Sequence, residues 1–302
     1  MNKLIGIIVV LLIIAGGAFY WQMTQTQTAQ NPASDQTPSQ ATTTPEVPVM
    51  KAMEPIGKSA GGTDIPVYNF GTGEKKILFV GGIHGGYEWN TVLVANQLIE
   101  HLKANPQDVP AGVSVSVIPV LNPDGLSKVL ASTTSFASFA AADVNKSQTV
   151  QVSGRYNANT VDLNRNFDCD WQAKGVWQNK QVSGGTAAFS EPESKAMQAY
   201  IAANKPAAVV VWYSSAGGVY ASNCHDGVST GTKIIMDSFA KASGYKSYDS
   251  WDFYATTGDM ANWLAKEKIP AISVLLTNHT DTEWDKNLAG VKAVLQSVAS
   301  AQ

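Results

Sequence analysis

The sequence predicts an α/β domain with a mixed, largely parallel central sheet flanked by helices. Three short apolar runs, at residues 77–80, 207–213 and 271–276, have the length and composition of buried strands. Residues 89–104 and 281–298 instead carry apolar side chains at helical spacing. Buried strands that alternate with amphipathic helices are typical of parallel sheets, because the connecting helices cover the faces of the sheet.

The order of the elements follows from local signals along the chain. The first apolar run leads into the glycine-rich turn 81–86, after which the first helix starts. A further strand is predicted at 113–121, and it ends in the turn signature Asn-Pro-Asp-Gly at 122–125. Ser190 is predicted to cap the N-terminus of a helix, because acidic residues follow it in what would be the first turn.

Before this domain, the chain begins with an apolar segment. Residues 4–21 are almost uninterruptedly apolar, which is long enough for a helix that crosses a membrane. Lys3 favours a cytoplasmic N-terminus, so we expect a signal anchor at 1–21, a single-pass protein of the cell membrane and an extracytoplasmic C-terminal domain. A cleaved signal peptide is the alternative, since Gly16 and Ala18 offer a small-residue cleavage site.

Residues 22–50 are predicted to form a disordered linker. They are rich in Thr, Gln, Pro, Ser and Ala and carry few large apolar side chains, so they cannot bury enough surface to offset the entropy of the chain. Residues 51–302 would then form the folded domain. The net charge of −3 and the scattered basic residues give no indication of a nucleic-acid partner.

The two cysteines, Cys169 and Cys224, lack the spacing of metal ligands. In an exported chain they favour a disulfide, and two buried thiols are the alternative.

Only two arginines occur in the chain, Arg155 and Arg165, and every other cationic residue is a lysine. A guanidinium group binds a carboxylate or phosphate through two parallel hydrogen bonds, whereas lysine suffices as a solvated surface charge. Asn164 adds an amide beside Arg165, and Asp162 is placed to orient a guanidinium group. The segment 154–167 therefore predicts an anion-binding site, although a salt-bridge cluster that only holds a loop is the alternative.

This segment, Arg-x-Asn-Ala-Asn-x-Val-Asp-Leu-Asn-Arg-Asn-Phe, resembles the carboxylate-binding segment of the zinc metallocarboxypeptidases, the carboxypeptidase A-like family. The resemblance extends from about residue 53 to the C-terminus and implies a carboxypeptidase-like fold. It implies that Arg155 polarises a scissile carbonyl, and that Asn164 and Arg165 hold the free C-terminal carboxylate of a peptide. Tyr254 matches the mobile tyrosine of the family, which caps that carboxylate.

The resemblance also implies a zinc site. His84 and Glu88, just after a predicted strand, match the first two ligands, although three residues separate them here and two separate them in the family. A hydrolytic zinc ion takes about three protein ligands and a water molecule. Ser214 stands in the place of the third ligand, a histidine. A serine hydroxyl binds zinc poorly, so we expect weak or absent zinc unless His225 or His279 replaces it.

Leu275 takes the place of the catalytic glutamate on the last strand, and leucine cannot transfer protons. Two hypotheses follow from these departures. The chain is a membrane-tethered relative that binds peptide C-termini with hydrolysis weak or lost, or it is an active zinc carboxypeptidase with a remodelled metal site that trims peptides, including cell-wall peptides.

Overall fold

The computed structural model describes residues 51–131 and 135–301. Within those residues the strands are β1 Lys51–Lys58, β2 Asp64–Phe70, β3 Lys75–Val80, β4 Val113–Ile118, β5 Lys174–Trp177, β6 Lys180–Ser183, β7 Ala208–Ser214, β8 Gly218–Ala221, β9 Ser247–Tyr248 and β10 Ala271–Leu276. The α-helices are α1 Trp89–Ala104, α2 Pro123–Ser127, α3 Gln148–Ser153, α4 Pro192–Asn204, α5 Thr230–Ser243, α6 Met260–Lys266 and α7 Trp284–Ser300.

Eight of these strands form one sheet in the order β1-β2-β4-β3-β7-β10-β8-β9, and β5 and β6 pair separately. The four central strands, β4, β3, β7 and β10, are mutually parallel, whereas β1, β2 and β8 join through antiparallel pairs. The predicted mixed, largely parallel sheet is therefore confirmed. Its parallel centre brings the carboxyl ends of β3, β7 and β10 to one edge, where open α/β sheets bind ligands.

Helices cover both faces of the sheet, as predicted. Alternate side chains of the central strands point to opposite faces, so Phe79 and Trp212 pack with α1, α5 and α7. Leu78, Val211 and Leu275 lie in the opposite layer, which contains residues of α4 and α6. Every residue of β7 is buried, because it runs through the middle of the sheet.

Two helices begin later than the sequence predicted. Helix α4 begins at Pro192 with Glu191 at the N-cap position, so the prediction that Ser190 caps it is wrong. Helix α7 begins at Trp284 and not at residue 281, because Asn278 accepts hydrogen bonds from the backbone N–H groups of Thr280 and Asp281 and so holds a turn there.

The structure identifies no membrane-crossing helix among the residues it describes, because none combines the required length with sufficient apolar character. The predicted anchor at 1–21 and the predicted linker at 22–50 lie outside the described residues.

Candidate functional site

A cavity of about 670 Å³ opens at the carboxyl ends of the central strands. Seven residues that the sequence indicated for the metal or substrate site line this cavity. These residues are His84, Glu88, Arg155, Asn164, Arg165, Ser214 and Tyr254. Side chains that are more than 100 residues apart in the sequence thus converge on one concave site, the usual form of a ligand-binding pocket.

His84 and Glu88 are brought together by the glycine-rich turn after β3. Residues Gly85–Glu88 form a 3-10 turn, which accommodates the additional residue, and the Nδ1 atom of His84 lies 2.9 Å from Oε1 of Glu88. Gly85 has a φ of +45°, and a Cβ atom there would lie 2.8 Å from two backbone oxygens. Glycine is therefore required at this position for both its conformation and its space.

Asp162 connects His84 to Arg155. Its Oδ1 atom lies 3.3 Å from Nε2 of His84, and its Oδ2 atom accepts a hydrogen bond from Nε of Arg155 at 2.8 Å and forms an ion pair with Nη2, also at 2.8 Å. Burial raises the pKa of Asp162, but the positive charge of Arg155 beside it outweighs burial and holds that pKa far below the ordinary value. The carboxylate is therefore ionised and orients both neighbours.

Arg155 is held by aromatic rings as well as by its carboxylate partner. Its guanidinium carbon lies 4.5 Å from the ring centre of Trp177 and 5.8 Å from that of Tyr87. Cation–π contacts of this kind are strongest where water is excluded, and only 2% of Arg155 is exposed. The guanidinium group is consequently fixed in the cavity wall.

Arg165 is fixed mainly by backbone carbonyl groups. Its Nε and Nη2 atoms donate to the carbonyl oxygen of Val176 at 3.1 and 2.7 Å, and its Nη1 atom donates to that of Asn164 at 2.7 Å. The ring of Tyr254 lies 5.9 Å from the guanidinium carbon. Burial raises the pKa of Tyr254, although both arginines lower it, so the phenol is a neutral hydrogen-bond donor at neutral pH.

Most of the hydrogen-bonding capacity of Asn164 is used within the protein. Its Nδ2 atom donates to Oδ2 of Asp259 at 2.7 Å, and its Oδ1 atom accepts from the Tyr213 hydroxyl at 3.2 Å and the Met260 N–H at 3.0 Å. One N–H of the amide remains for a ligand. The sequence did not predict the contact between Asn164 and Asp259, a residue that also caps the N-terminus of α6.

Ser214 and Tyr213 point to opposite sides at the end of β7. Ser214 Oγ donates to Oδ1 of Asn90 at 3.1 Å and lies 2.8 Å from Nδ1 of His279. The Tyr213 ring instead packs on His84, with ring centres 5.7 Å apart. Burial raises the pKa of Tyr213 well above its ordinary value, so this side chain offers only a neutral phenol to the space beside His84.

Leu275 lies directly beside Tyr213, because the two residues are paired in the parallel register of β10 and β7. Both side chains line the cavity, and neither is a metal ligand of the usual kind or a general base.

The two remaining candidate histidines differ in position. His225 forms an exposed ion pair with Asp170, at 2.9 Å, and is not among the cavity residues. His279 lines the cavity and packs against Tyr87, with ring centres 4.6 Å apart. Burial lowers the pKa of His279, so its imidazole is neutral at neutral pH.

His84 and Glu88 fit a zinc ion as two of its ligands. Neither nitrogen of His84 has a well-aligned hydrogen-bond partner, and the same holds for Oε2 of Glu88, although all three atoms are buried. Buried polar atoms without partners are costly, and a bound cation would satisfy them. In the described part of the chain, no third His, Cys, Asp or Glu side chain brings a ligand atom within 4.8 Å of both.

Cys169 and Cys224 form a disulfide, with Cα atoms 6.1 Å apart. The bridge joins the segment after Arg165 to the loop after β8, two segments that border the cavity. The disulfide therefore links these two segments covalently.

The parallel sheet, the pocket at its carboxyl edge and the His84–Glu88 pair define an α/β domain with a candidate metal-binding site. The family model described as zinc carboxypeptidase, peptidase family M14, matches residues 41–280. The chain therefore belongs to the zinc carboxypeptidase family, whose members depend on zinc and act on the C-termini of peptides.

Solved structures show the same fold. The murein-tripeptide amidase MpaA from Escherichia coli O157 superposes with a TM-score of 0.58 at 18% identity, over 83% of this chain and 94% of that chain. Thrombin activatable fibrinolysis inhibitor gives a TM-score of 0.67 at 16% identity, over 83% of this chain and 70% of that chain. Carboxypeptidase A from Helicoverpa armigera gives a TM-score of 0.63 at 19% identity, over 84% of this chain and 69% of that chain. No curated protein matches the chain.

Proposed function

We propose that this protein binds the free C-terminal carboxylate of a peptide in the cavity, and that its peptide hydrolysis is weak or lost. One contrast carries the proposal. Two buried arginines line the cavity together with Tyr254, whereas Tyr213 and Leu275 bring neither a metal ligand nor a general base to it. The groups suited to recognition are present, and those suited to catalysis are incomplete.

Charge supports an anionic ligand. Asp162 offsets the charge of Arg155 in part, but Arg165 is held by neutral carbonyl groups, and no carboxylate among residues 51–131 and 135–301 forms an ion pair with it. Nη1 and Nη2 each donate one hydrogen bond and retain one N–H, which can bind a carboxylate. Hydrogen bonds to charged groups contribute about 1.5 to 3 kcal/mol, which corresponds to roughly ten- to a hundredfold in affinity.

The test is calorimetric titration of the full chain with N-acetyl-trialanine and with its C-terminal amide. We expect the acid to bind at least about tenfold more tightly than the amide, because only the acid carries the charge that Arg165 recognises. The variant Arg165→Gln should lose this preference. Lys266→Gln, which removes an exposed cation paired with Asp168, should keep it. Equal binding of acid and amide by the unaltered protein would contradict the proposal.

The alternative is an active zinc carboxypeptidase with a remodelled metal site. The placement of Glu88 and Asp162 at opposite nitrogens of His84 favours it, because a carboxylate behind a histidine is the usual support of a zinc ligand. Chromatography of released amino acids, with and without a chelator, separates the two functions. Chelator-sensitive turnover of the same peptides supports the alternative.

We also propose that residues 1–21 anchor the domain outside the cytoplasm. The apolar run and Lys3 support this orientation, and the Cys169–Cys224 disulfide is typical of an oxidising compartment. Protease added to intact cells should degrade the domain, and a protected domain would contradict the orientation.

A further inference from the structure

We propose that Ser215 and His279 form a nucleophile and general-base pair that transfers acyl groups from carboxylic esters. The inference goes beyond the proposed peptide recognition, because it concerns a covalent reaction at another pair of residues in the cavity. A serine is activated when a histidine accepts its proton and a third group holds that histidine in the correct tautomer. The hydrogen bonds that link Asn90, Ser214, His279 and Ser215 meet these requirements in turn.

The amide of Asn90 fixes the first of these hydrogen bonds. Its Nδ2 atom donates to the carbonyl oxygens of Asn278 and Asp281, at 2.8 and 2.9 Å. Both N–H groups of the amide are thereby used, so Oδ1 faces Ser214 as an acceptor. Because Oδ1 cannot donate, the hydroxyl proton of Ser214 points to Asn90.

The Ser214 hydroxyl in turn fixes the tautomer of His279. Since this hydroxyl already donates to Asn90, its oxygen accepts from Nδ1 of His279, 2.8 Å away. Nδ1 therefore carries the proton, and Nε2 has a free lone pair. A histidine that acts as a general base towards a serine needs this arrangement, in which one nitrogen donates to a fixed partner and the other accepts.

Ser215 faces that lone pair. Its Oγ atom lies 3.3 Å from Nε2 of His279, and this is the only hydrogen bond of its side chain among residues 51–131 and 135–301. Because Nε2 is the acceptor, the hydroxyl proton of Ser215 points to the base that would remove it. Ser215 is exposed in the cavity, whereas Ser214 is buried and gives its proton to Asn90. Ser215 is therefore the nucleophile of the pair.

The surroundings of His279 suit a base. Burial lowers the pKa of His279 more than the charge of Glu88 raises it, so the imidazole is neutral at neutral pH and can accept a proton. Tyr87 packs against the ring, with ring centres 4.6 Å apart, and holds its plane. Arg155 lines the same cavity and provides a positive charge for the negative oxygen of a tetrahedral intermediate.

The reaction has two steps. In the first, Oγ of Ser215 bonds to the ester carbonyl carbon, the bond from that carbon to the alcohol oxygen breaks, and Nε2 of His279 passes the serine proton to the leaving alcohol. In the second, water attacks the acyl-serine, and Nε2 takes a proton from the water and returns it to Oγ as the acid leaves. The partner of Nδ1 is a neutral hydroxyl and not a carboxylate, so the base is weak and favours esters, whose alcohol leaves more easily than the amine of a peptide.

The experiment is labelling of the full chain with a fluorophosphonate in the presence of EDTA, read by intact mass and peptide mapping. We expect one adduct per chain, on Ser215. Ser215→Ala should abolish this adduct, and His279→Gln should slow its formation by at least about a hundredfold. Hydrolysis of p-nitrophenyl acetate should fall in the same two variants.

Ser250→Ala is the matched control, because Ser250 is exposed in the same cavity and forms no hydrogen bond to a histidine within the described part of the chain. This variant should be labelled like the unaltered protein. No adduct, an adduct on another serine, or an unchanged labelling rate in His279→Gln would overturn the inference.

Nitrogen-15 NMR of the unaltered protein gives a second readout that does not depend on the folding of any variant. It should show Nδ1 of His279 protonated and Nε2 without a proton, and the reverse tautomer would also overturn the inference. Ser214→Ala should populate both tautomers and slow the labelling by at least about tenfold, because Ser214 positions the base. Peptide affinity is measured separately, so these results leave the test of the proposed function independent.

Discussion

At the residue scale, Tyr213 and Leu275 decide what the cavity can do. They lie side by side on neighbouring strands, both line the cavity, and the Tyr213 ring packs on His84. A neutral phenol and an aliphatic chain cannot themselves accept a proton from water. General acid–base assistance contributes typically about a hundred- to ten-thousandfold to a hydrolytic rate, and the absence of such a group at these two positions supports the proposal that hydrolysis is weak or lost.

The double variant Tyr213→His with Leu275→Glu should therefore raise peptide hydrolysis at least about a hundredfold above that of the unaltered protein in the presence of zinc. It adds an imidazole and a carboxylate at adjacent positions of the cavity wall. The measurement is the release of C-terminal amino acids from short peptides.

Tyr213→Phe with Leu275→Gln is the matched control, because it changes the same positions without adding a ligand or a base. Equal rates in the two double variants, both loaded with zinc, would show that the reacting bond does not lie beside these strands.

The sequence could place the arginines in a site but could not tell which residue at the end of β7 lies beside His84. Arg155 and Arg165 stand out because no other arginine occurs in the chain. In contrast, all seven residues of β7 are buried, so the polar alternation that would distinguish Tyr213 from Ser214 is missing. The contacts of Asn164 with Asp259 and Tyr213 span 95 and 49 residues, and no local pattern encodes them.

At the scale of elements, the junction between β10 and α7 positions His279. Glu283, just before α7, accepts hydrogen bonds from the backbone and side chain of Thr277 and from Tyr245 and Lys286. Burial raises the pKa of Glu283, but these hydrogen bonds outweigh it and lower that pKa to about 2. The carboxylate thus ties the end of the strand to the start of the helix.

This junction should weaken in acid. Because the pKa of Glu283 is lower in the folded than in the unfolded chain, its stabilisation is present above the unfolded value of 4.5 and is lost as the pH falls towards 2. Because Glu283 is partly exposed, its contribution to the free energy of unfolding is only about 1 to 2 kcal/mol. In urea unfolding at pH 7, Glu283→Gln should be less stable than the unaltered protein by this amount. Between pH 4.5 and 2.5, its free energy of unfolding should fall less than that of the unaltered protein.

Glu100→Gln is the control for this measurement, since Glu100 is an exposed acid on α1 paired only with Lys103. Its stability should follow that of the unaltered protein across the same pH range. An identical acid profile in the Glu283 and Glu100 variants would contradict the assignment.

Of the described strands, the four central ones, β3, β4, β7 and β10, were predicted, since apolar runs specify buried strands. β10 has the predicted bounds, and the helix predicted at 89–104 matches α1. The starts of α4 and α7 were harder to predict from the sequence, because side chains such as Asn278 compete with the helix for backbone hydrogen bonds.

At the scale of the whole molecule, the Cys169–Cys224 bridge closes a loop of 55 residues across the cavity border. Chain-entropy arguments assign a loop of that length about 4 kcal/mol of stabilisation. Replacing both cysteines with serine should therefore lower the free energy of unfolding by roughly 2 to 4 kcal/mol, measured by chemical denaturation. The unaltered protein in dithiothreitol should behave in the same way, and a stability that does not change in either case would contradict this prediction.

Asp162 gives the molecule one further property. A single carboxylate touches the imidazole of His84 on one side and the guanidinium group of Arg155 on the other. Any cation that draws electron density from the imidazole also changes the hydrogen bonds that the carboxylate can offer to the guanidinium group. Thermodynamic linkage is reciprocal. If a bound ion changes the affinity of the protein for a peptide by some factor, the bound peptide changes the affinity of the protein for that ion by the same factor.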